Sequence, residues 1–438
     1  MTTMSGCSNL LTASTVATTL TEEPTDAPTG GMGPGASEVL YDDFVGVTTD
    51  GNVVEGLYSL HSTGVSTAAV VKAAQDFLAG LTEAQREATL FNVQSDEWLA
   101  WSNVDAYERE GVRMGDLTER QRTLGFDLLG AALSADGLTK TRNIMKLNAF
   151  LGEYTGGGRE TLTEGHYFFT IMGTPSATDP WGFQYEGHHL AINYFVLGDQ
   201  VVMTPTFMGS EPTSETYQGE KITLFRQETK AGLALLRSLD RDQRAEVISA
   251  EEKSGTNMKA GAGADNLELP YQGLPASQMN AAQRAKLLDL VRLYVATMDD
   301  GHAAVKMKEV RAHLDQTHFF WIGETEDDSA FYYRVHSPVV LIEYDAQSLL
   351  FYGDASTGTP GGGTPSGGTP SSGTPSGGAG SGGAGSPSAG GSGPGGGGGE
   401  PTQQHIHTII RTPNGNDYGI DLLKLHLETD HGRPTPKG

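Results

Sequence analysis

The sequence predicts an α+β protein of two pseudo-repeated halves, each a helical layer followed by an antiparallel β-hairpin unit, packed around a shared pocket. Three observations predict it. Four short boxes, Leu81–Arg86, Leu117–Arg122, Leu239–Arg244 and Met279–Arg284, each place a Thr, Asp or Asn three residues ahead of a Gln. That is the sequence form of a capping box, which opens a helix. The boxes come in two pairs, and each pair leads into an aromatic run opened by a histidine, His166 before Tyr167-Phe168-Phe169 and His318 before Phe319-Phe320-Trp321. Finally, a Gly/Ser/Thr/Pro-rich stretch over 353–401 separates two strand-like segments that would otherwise close a hairpin like the one in the first half.

Taken in order, residues 1–38 are rich in Thr, Gly and Pro without periodicity and read as a disordered leader or tether. The first half spans 39–222. Its helical part covers 66–153, where Val70, Val71, Ala74, Phe77 and Leu78 recur at helical spacing and Leu124, Phe126, Leu128 and Leu129 follow the second box. Residues 166–208 carry strand character. His188 to Leu197, a Gly198-Asp199 turn and Val201 to Thr204 read as a hairpin. The second half spans 223–431. Its helices cover 223–313, with Leu287, Leu288, Leu290, Val291 and Tyr294 marking the clearest apolar stripe. Strands return over 317–345 and again at His405–Arg411, with the 353–401 stretch as a flexible hairpin insert whose length costs little closure entropy. A short helix near 419–427 and a tail over 432–438 end the chain.

Composition narrows the function classes. Of 438 residues roughly 340 belong to folding segments, enough for one large domain or two intimately packed ones. Lys and Arg number 29 against 54 Asp and Glu, a net charge of −25, which argues against nucleic acid and anionic membrane as partners. The expected partner is a small-molecule or short polymer substrate. The single cysteine, Cys7, excludes an internal disulfide and a cysteine-based zinc site. It sits in a lipoprotein-like Met4-Ser5-Gly6-Cys7 run, a candidate lipid anchor, so the chain is expected to be exported. No apolar run reaches membrane-spanning length.

The chemistry-bearing residues cluster near the two hairpins. His405 and His407 are two apart in a strand, so both imidazoles share a face, a common way to offer two ligands to a divalent metal, zinc or copper. Glu343 and Asp345 are two apart on the neighbouring strand and add carboxylates. Glu186-Gly187-His188-His189 opens the corresponding strand of the first half; adjacent histidines in a strand face opposite ways, so at most one can join the same site, and His189, which shares its face with Ala191 and Asn193, is favoured. The candidate ligands are therefore His188, His189, Glu343, His405 and His407. Glu186 and Asp345 are the candidate general bases, and Arg411 could hold an anionic group. A serine-nucleophile elbow, a His-Glu-x-x-His helix, a P-loop and a dinucleotide glycine pattern are all absent.

The segment Tyr167 to Tyr194, containing Trp181 and Glu186-Gly187-His188-His189, resembles the signature of the family called domain of unknown function 3500. So do Pro205 to Gly209, Tyr333-Arg334-Val335, Leu341 to Asp345 and His405-Ile406-His407-Thr408. The resemblance runs through most of 66–431. It implies a shared architecture and a shared histidine site in a largely uncharacterised family with many exported bacterial members, and it implies no particular activity. The sequence departs from the family in the 353–401 insert, where a short Asn-containing link is usual. The residues themselves lead to a metal-dependent enzyme, hydrolytic in preference to oxidative, with a non-catalytic exported binding protein as the alternative.

Overall fold

Each of the four boxes closes as a capping box in the computed structural model, which describes residues 44–353 apart from 158, and residues 399–430. The leader, Cys7, the insert over 354–398, His431 and the tail lie outside the described residues. In the first part of the chain come α1 (Ala68–Gly80), α2 (Glu83–Thr89), β1 (Leu90–Phe91), β2 (Val112–Arg113), α3 (Glu119–Ala132) and α4 (Ala135–Tyr154). They are followed by β3 (Tyr167–Met172), β4 (Trp181–Gly187), β5 (Leu190–Leu197), β6 (Gln200–Val202), β7 (Thr206–Ser210), β8 (Ser214–Tyr217) and β9 (Glu220–Thr223). The second part holds α5 (Arg226–Ser238), α6 (Arg241–Val247), β10 (Ile248–Ala250), β11 (Leu274–Pro275), α7 (Ala281–Val295) and α8 (Asp300–Ala312). Then come β12 (His318–Gly323), β13 (Phe331–His336), β14 (Leu341–Ser348), β15 (Pro401–Arg411) and α9 (Ile420–Asp430).

The box residues do more than start helices. Thr118 accepts from the Gln121 amide while the Gln121 side chain accepts from the Thr118 amide, and Gln121 Nε2 donates to Gly80 O at 3.0 Å and Gln85 Oε1 at 2.8 Å. Gln283 repeats this with Ser238 O at 2.9 Å and Gln243 Oε1 at 2.8 Å. The Arg ending each box donates to a backbone carbonyl where the chain turns: Arg86 to Leu78, Arg122 to Leu117, Arg244 to Leu239, Arg284 to Ala276. Helix termini leave such groups unpaired, so the box also welds consecutive helices together.

The architecture is mixed α+β, built on one sheet of thirteen strands with the path β1-β3-β4-β5-β7-β15-β14-β13-β12-β10. Most neighbours are antiparallel; β1 with β3 and β10 with β12 are parallel. β8 and β9 form a separate ribbon. β14 and β15 pair directly across the insert, Leu341 opposite Arg411 and Asp345 opposite His407, as the strand pattern predicts. The β5–β6 hairpin also forms, with Leu197 opposite Gln200. It is short, and the strand that continues the sheet is β7, which pairs with β5 on one side and β15 on the other.

Alternation along these strands sorts the two faces. Ile192, Tyr194, Tyr333, Ile342, Tyr344, Ile406 and Ile410 join the core made with α1, α3, α4, α5, α7 and α8. Ala191, Phe195, Phe207 and Ile409 point the other way and pack under Phe44, Trp98, Trp101, Tyr418 and Leu423, residues of irregular segments and α9. This second face also carries Glu186, Glu343, Asp345 and Arg411, buried side chains that bond the irregular covering backbone, whose N–H and C=O groups must be paired.

Candidate metal centre

Where β7 meets β15, three imidazoles converge. His405 and His407 occupy alternate positions of β15. A register shift between Ala346 and Gln347 lets Ser348 O lie 2.7 Å from His405 Nδ1. A carbonyl can only accept, so Nδ1 of His405 carries the proton and its Nε2 presents a lone pair. That Nε2 lies 3.0 Å from His407 Nε2 and 3.3 Å from His189 Nε2. The candidate ligand atoms of the three residues all lie within 4.8 Å of one another. Metal–imidazole bonds of about 2.0–2.1 Å put two nitrogens about 2.9 Å apart at right angles and about 3.3 Å apart in a tetrahedron, so the observed spacing fits one small cation.

His189 reaches this point through its backbone. Gly187 pairs with Leu190, which makes His188 and His189 the two-residue turn between β4 and β5 rather than the opening of a strand. His189 takes φ 62°, the left-handed region, which costs an ordinary residue roughly 1–2 kcal/mol. Two backbone hydrogen bonds hold it there, His189 N to Asn103 O at 3.1 Å and Gly209 N to His189 O at 2.7 Å. Gly209 is opposite His407, and a Cβ on it would stand 3.0 Å from His407 Cδ2 and 3.2 Å from His189 Cδ2. The absence of a side chain there gives both rings their space.

The electrostatics favour neutral ligands. Burial holds His189 and His407 well below the usual histidine value, and neighbouring imidazoles lower both further. Burial also lowers His405, opposed by the Glu211 carboxylate and the bond to Ser348. His189 and His405 are buried, while His407 is partly exposed.

The other candidates from the sequence are engaged elsewhere. His188 stacks on His189 with ring centroids 3.9 Å apart, and its Nδ1 lies 2.7 Å from Asn148 Oδ1. The turn aims its ring at α4, not at β15. Glu343 accepts from the Lys259 and Ala260 amides and from Tyr332 Oη, the last at 2.5 Å. Asp345 accepts from the Asn257 and Met258 amides, both at 2.8 Å, and pairs with Lys253 at 2.9 Å. Both carboxylates therefore clasp the 253–260 segment to the sheet. Glu186 accepts from Ser102 N and Arg109 Nε, and Arg109 in turn binds the Ser102, Val104 and Tyr107 carbonyls. Burial raises Glu186 to about 7, with Arg109 opposing. Arg411 lies between Asp265 and Asp417 at 2.9 and 3.1 Å and donates to Ala260 and Gly261 carbonyls. Glu186, Glu343, Asp345 and Arg411 thus bond the backbone of the covering segments and lie in ion pairs or hydrogen bonds away from the three imidazoles.

Sequence reasoning passed over Glu211, Gly209, Ser348 and Asn103, none of which stands at a diagnostic spacing. A cavity of about 700 Å³, lined by Tyr58, Gln200, Met203, His302, Val305 and Glu309 among others, opens elsewhere, and none of the three imidazoles lines it. Among the described residues no helix is long and apolar enough to cross a membrane.

No curated protein and no solved structure matches the chain. A family model does match it, from residue 63 to residue 420, and so covers most of the sequence and all three histidines. The chain belongs to the family described as Protein of unknown function (DUF3500).

Proposed function

We propose that this protein is a metal-dependent enzyme in which His189, His405 and His407 hold one divalent cation, zinc or copper, and that its chemistry is hydrolysis of a small-molecule or short polymer substrate. The observation that carries the reading is the convergence of three Nε2 atoms at 3.0 and 3.3 Å, one of them fixed as a lone pair by the Ser348 carbonyl. A cation on three neutral imidazoles supplies Lewis acidity and keeps a coordination position open, the donor set of catalytic rather than structural zinc. The protein's own contribution is to keep the ligands unprotonated by burial and to orient them by the His189 turn and the β15 register. Glu186 and Asp345 are assigned no proton-transfer role in this reading, because each is committed to a cation and to backbone amides.

The test is metal binding followed by turnover. Metal-free protein titrated with zinc and with copper should take up one equivalent, and His405→Ala or His407→Ala should lose it. Activated esters and phosphoesters should then be hydrolysed by the loaded wild type alone. Sub-stoichiometric uptake by wild type would sink the proposal.

A second reading, an exported small-ligand-binding protein without catalysis, draws on two other observations. Nitrogens 3.0 Å apart also suit an N–H···N bond within an imidazole network, and the 700 Å³ cavity falls in the size range of small-ligand sites. Tight ligand capture by a protein that takes up no metal would favour it. We also infer that the two halves are pseudo-repeats. The strand path has matching halves about the β7–β15 contact, and Gln85–Gln121 is answered by Gln243–Gln283. An experimental structure in which β3–β5 and β12–β14 do not superpose would contradict this.

A further inference from the structure

We propose that Glu211 is a positioning residue for the histidine centre: its carboxylate, beside His405 Nδ1, holds that ring in the orientation and tautomer that turn Nε2 toward the metal. This rests on the metal-centre reading above. Glu211 lies just after β7, is 1 % exposed, and is neither a ligand candidate nor part of any ion pair with Lys or Arg among the described residues. Its Oε1 accepts from three consecutive amides, Leu350, Phe351 and Tyr352, at 2.7, 2.8 and 2.8 Å. Its Oε2 is buried without a hydrogen-bond partner and stands 3.7 Å from His405 Nδ1.

Two features make this arrangement unlike an ordinary buried carboxylate. Three amides on one oxygen anchor the backbone just beyond Ser348, the residue whose carbonyl accepts the hydrogen bond from His405 Nδ1–H. The residue thus fixes both the acceptor of that proton and the charge beside it. Meanwhile the unpartnered oxygen faces the ring edge opposite Nε2. When Nε2 donates its lone pair to a cation, positive charge spreads onto the ring, and a carboxylate on the far edge stabilises it. A buried acceptor left without a donor is costly in isolation, so an imidazolium-like ring at this edge gives the lone oxygen a role. A glutamine would fill the same volume and could still accept from the amides. It would lack the charge and would place an NH2 group toward Nδ1–H, so Glu211→Gln isolates the proposed function from packing.

Two measurements test it. In metal-free wild type labelled with ¹⁵N-histidine, His405 should be the Nδ1–H tautomer; an Nε2–H tautomer overturns the proposal, and this holds whether or not any variant folds. In cobalt titrations, Glu211→Gln with wild-type circular dichroism and melting should bind roughly 10–100-fold more weakly, with a shifted ligand-field spectrum. Unchanged affinity and spectrum in that variant would overturn the role of Glu211 while leaving the metal centre standing. Wild type that binds no cobalt, zinc or copper would instead overturn the metal centre itself.

Discussion

At the residue scale, Gly209 and His189 decide whether three histidines from distant parts of the chain can share a point. Gly209→Ala is expected to push the His189 and His407 rings apart, since its Cβ would meet them at 3.2 and 3.0 Å and the Ile406 carbonyl at 2.9 Å. Overpacking of this kind costs about 1–3 kcal/mol. The variant should melt earlier and bind zinc more weakly, which differential scanning and metal competition would show. The pairing of His405 with His407 could be read from their spacing, because period two is a local property of a strand. The roles of Glu343, Asp345 and Glu186 could not, because a carboxylate two residues from another carries no record of which amides will need it. The same holds for Glu211, whose partners are 139 to 194 positions away along the chain.

At the scale of elements, the capping boxes were fully legible, since each is a four-residue rule. Replacing the cap hydroxyl in Thr118→Ala should cost about 1 kcal/mol. Gln283→Ala should cost more, about 2 kcal/mol, because it removes a cap together with the part-buried bonds to Ser238 O and Gln243 that join α7 to the end of α5 and to α6. Urea melts of the two variants would rank them, and equal losses would contradict the welding role of the glutamine. The β4–β5 connection was less legible. His188 and His189 follow a strand without any Gly-Asn or Asn-Gly turn signal, yet they form the turn, with His189 left-handed. Tertiary bonds to Asn103 and Gly209 supply what local propensity does not.

At the scale of the whole molecule, buried ionisable groups give stability a defined pH dependence. Glu186 and Glu97 have folded values raised to about 7 and about 8, chiefly by burial. The folded state therefore keeps protons that the unfolded chain releases above about 4.5, and their contribution falls as pH rises from there through 7 to 8. Glu186→Gln should flatten that decline in melts between pH 5 and 8. The triad acts in the opposite sense. With folded values below 6.5, the unfolded chain takes up protons first as pH falls, so stability drops below about pH 6.5. Replacing His189 and His407 together with Gln should soften this acid-side loss; an unchanged acid limb would show that other groups set it.

Helix starts, the β5–β6 and β14–β15 hairpins and the family signature were determined by the sequence alone, because caps, alternation and ordered blocks are short-range patterns. The path of the sheet, with β7 rather than β6 meeting β15, was decided by tertiary structure. So was the turn that carries His189 to β15, and so were the carboxylates that clasp loops. The physical reason is common to these cases. Each depends on which distant backbone groups are left unpaired when the second face of the sheet is covered, and that demand exists only in the folded chain.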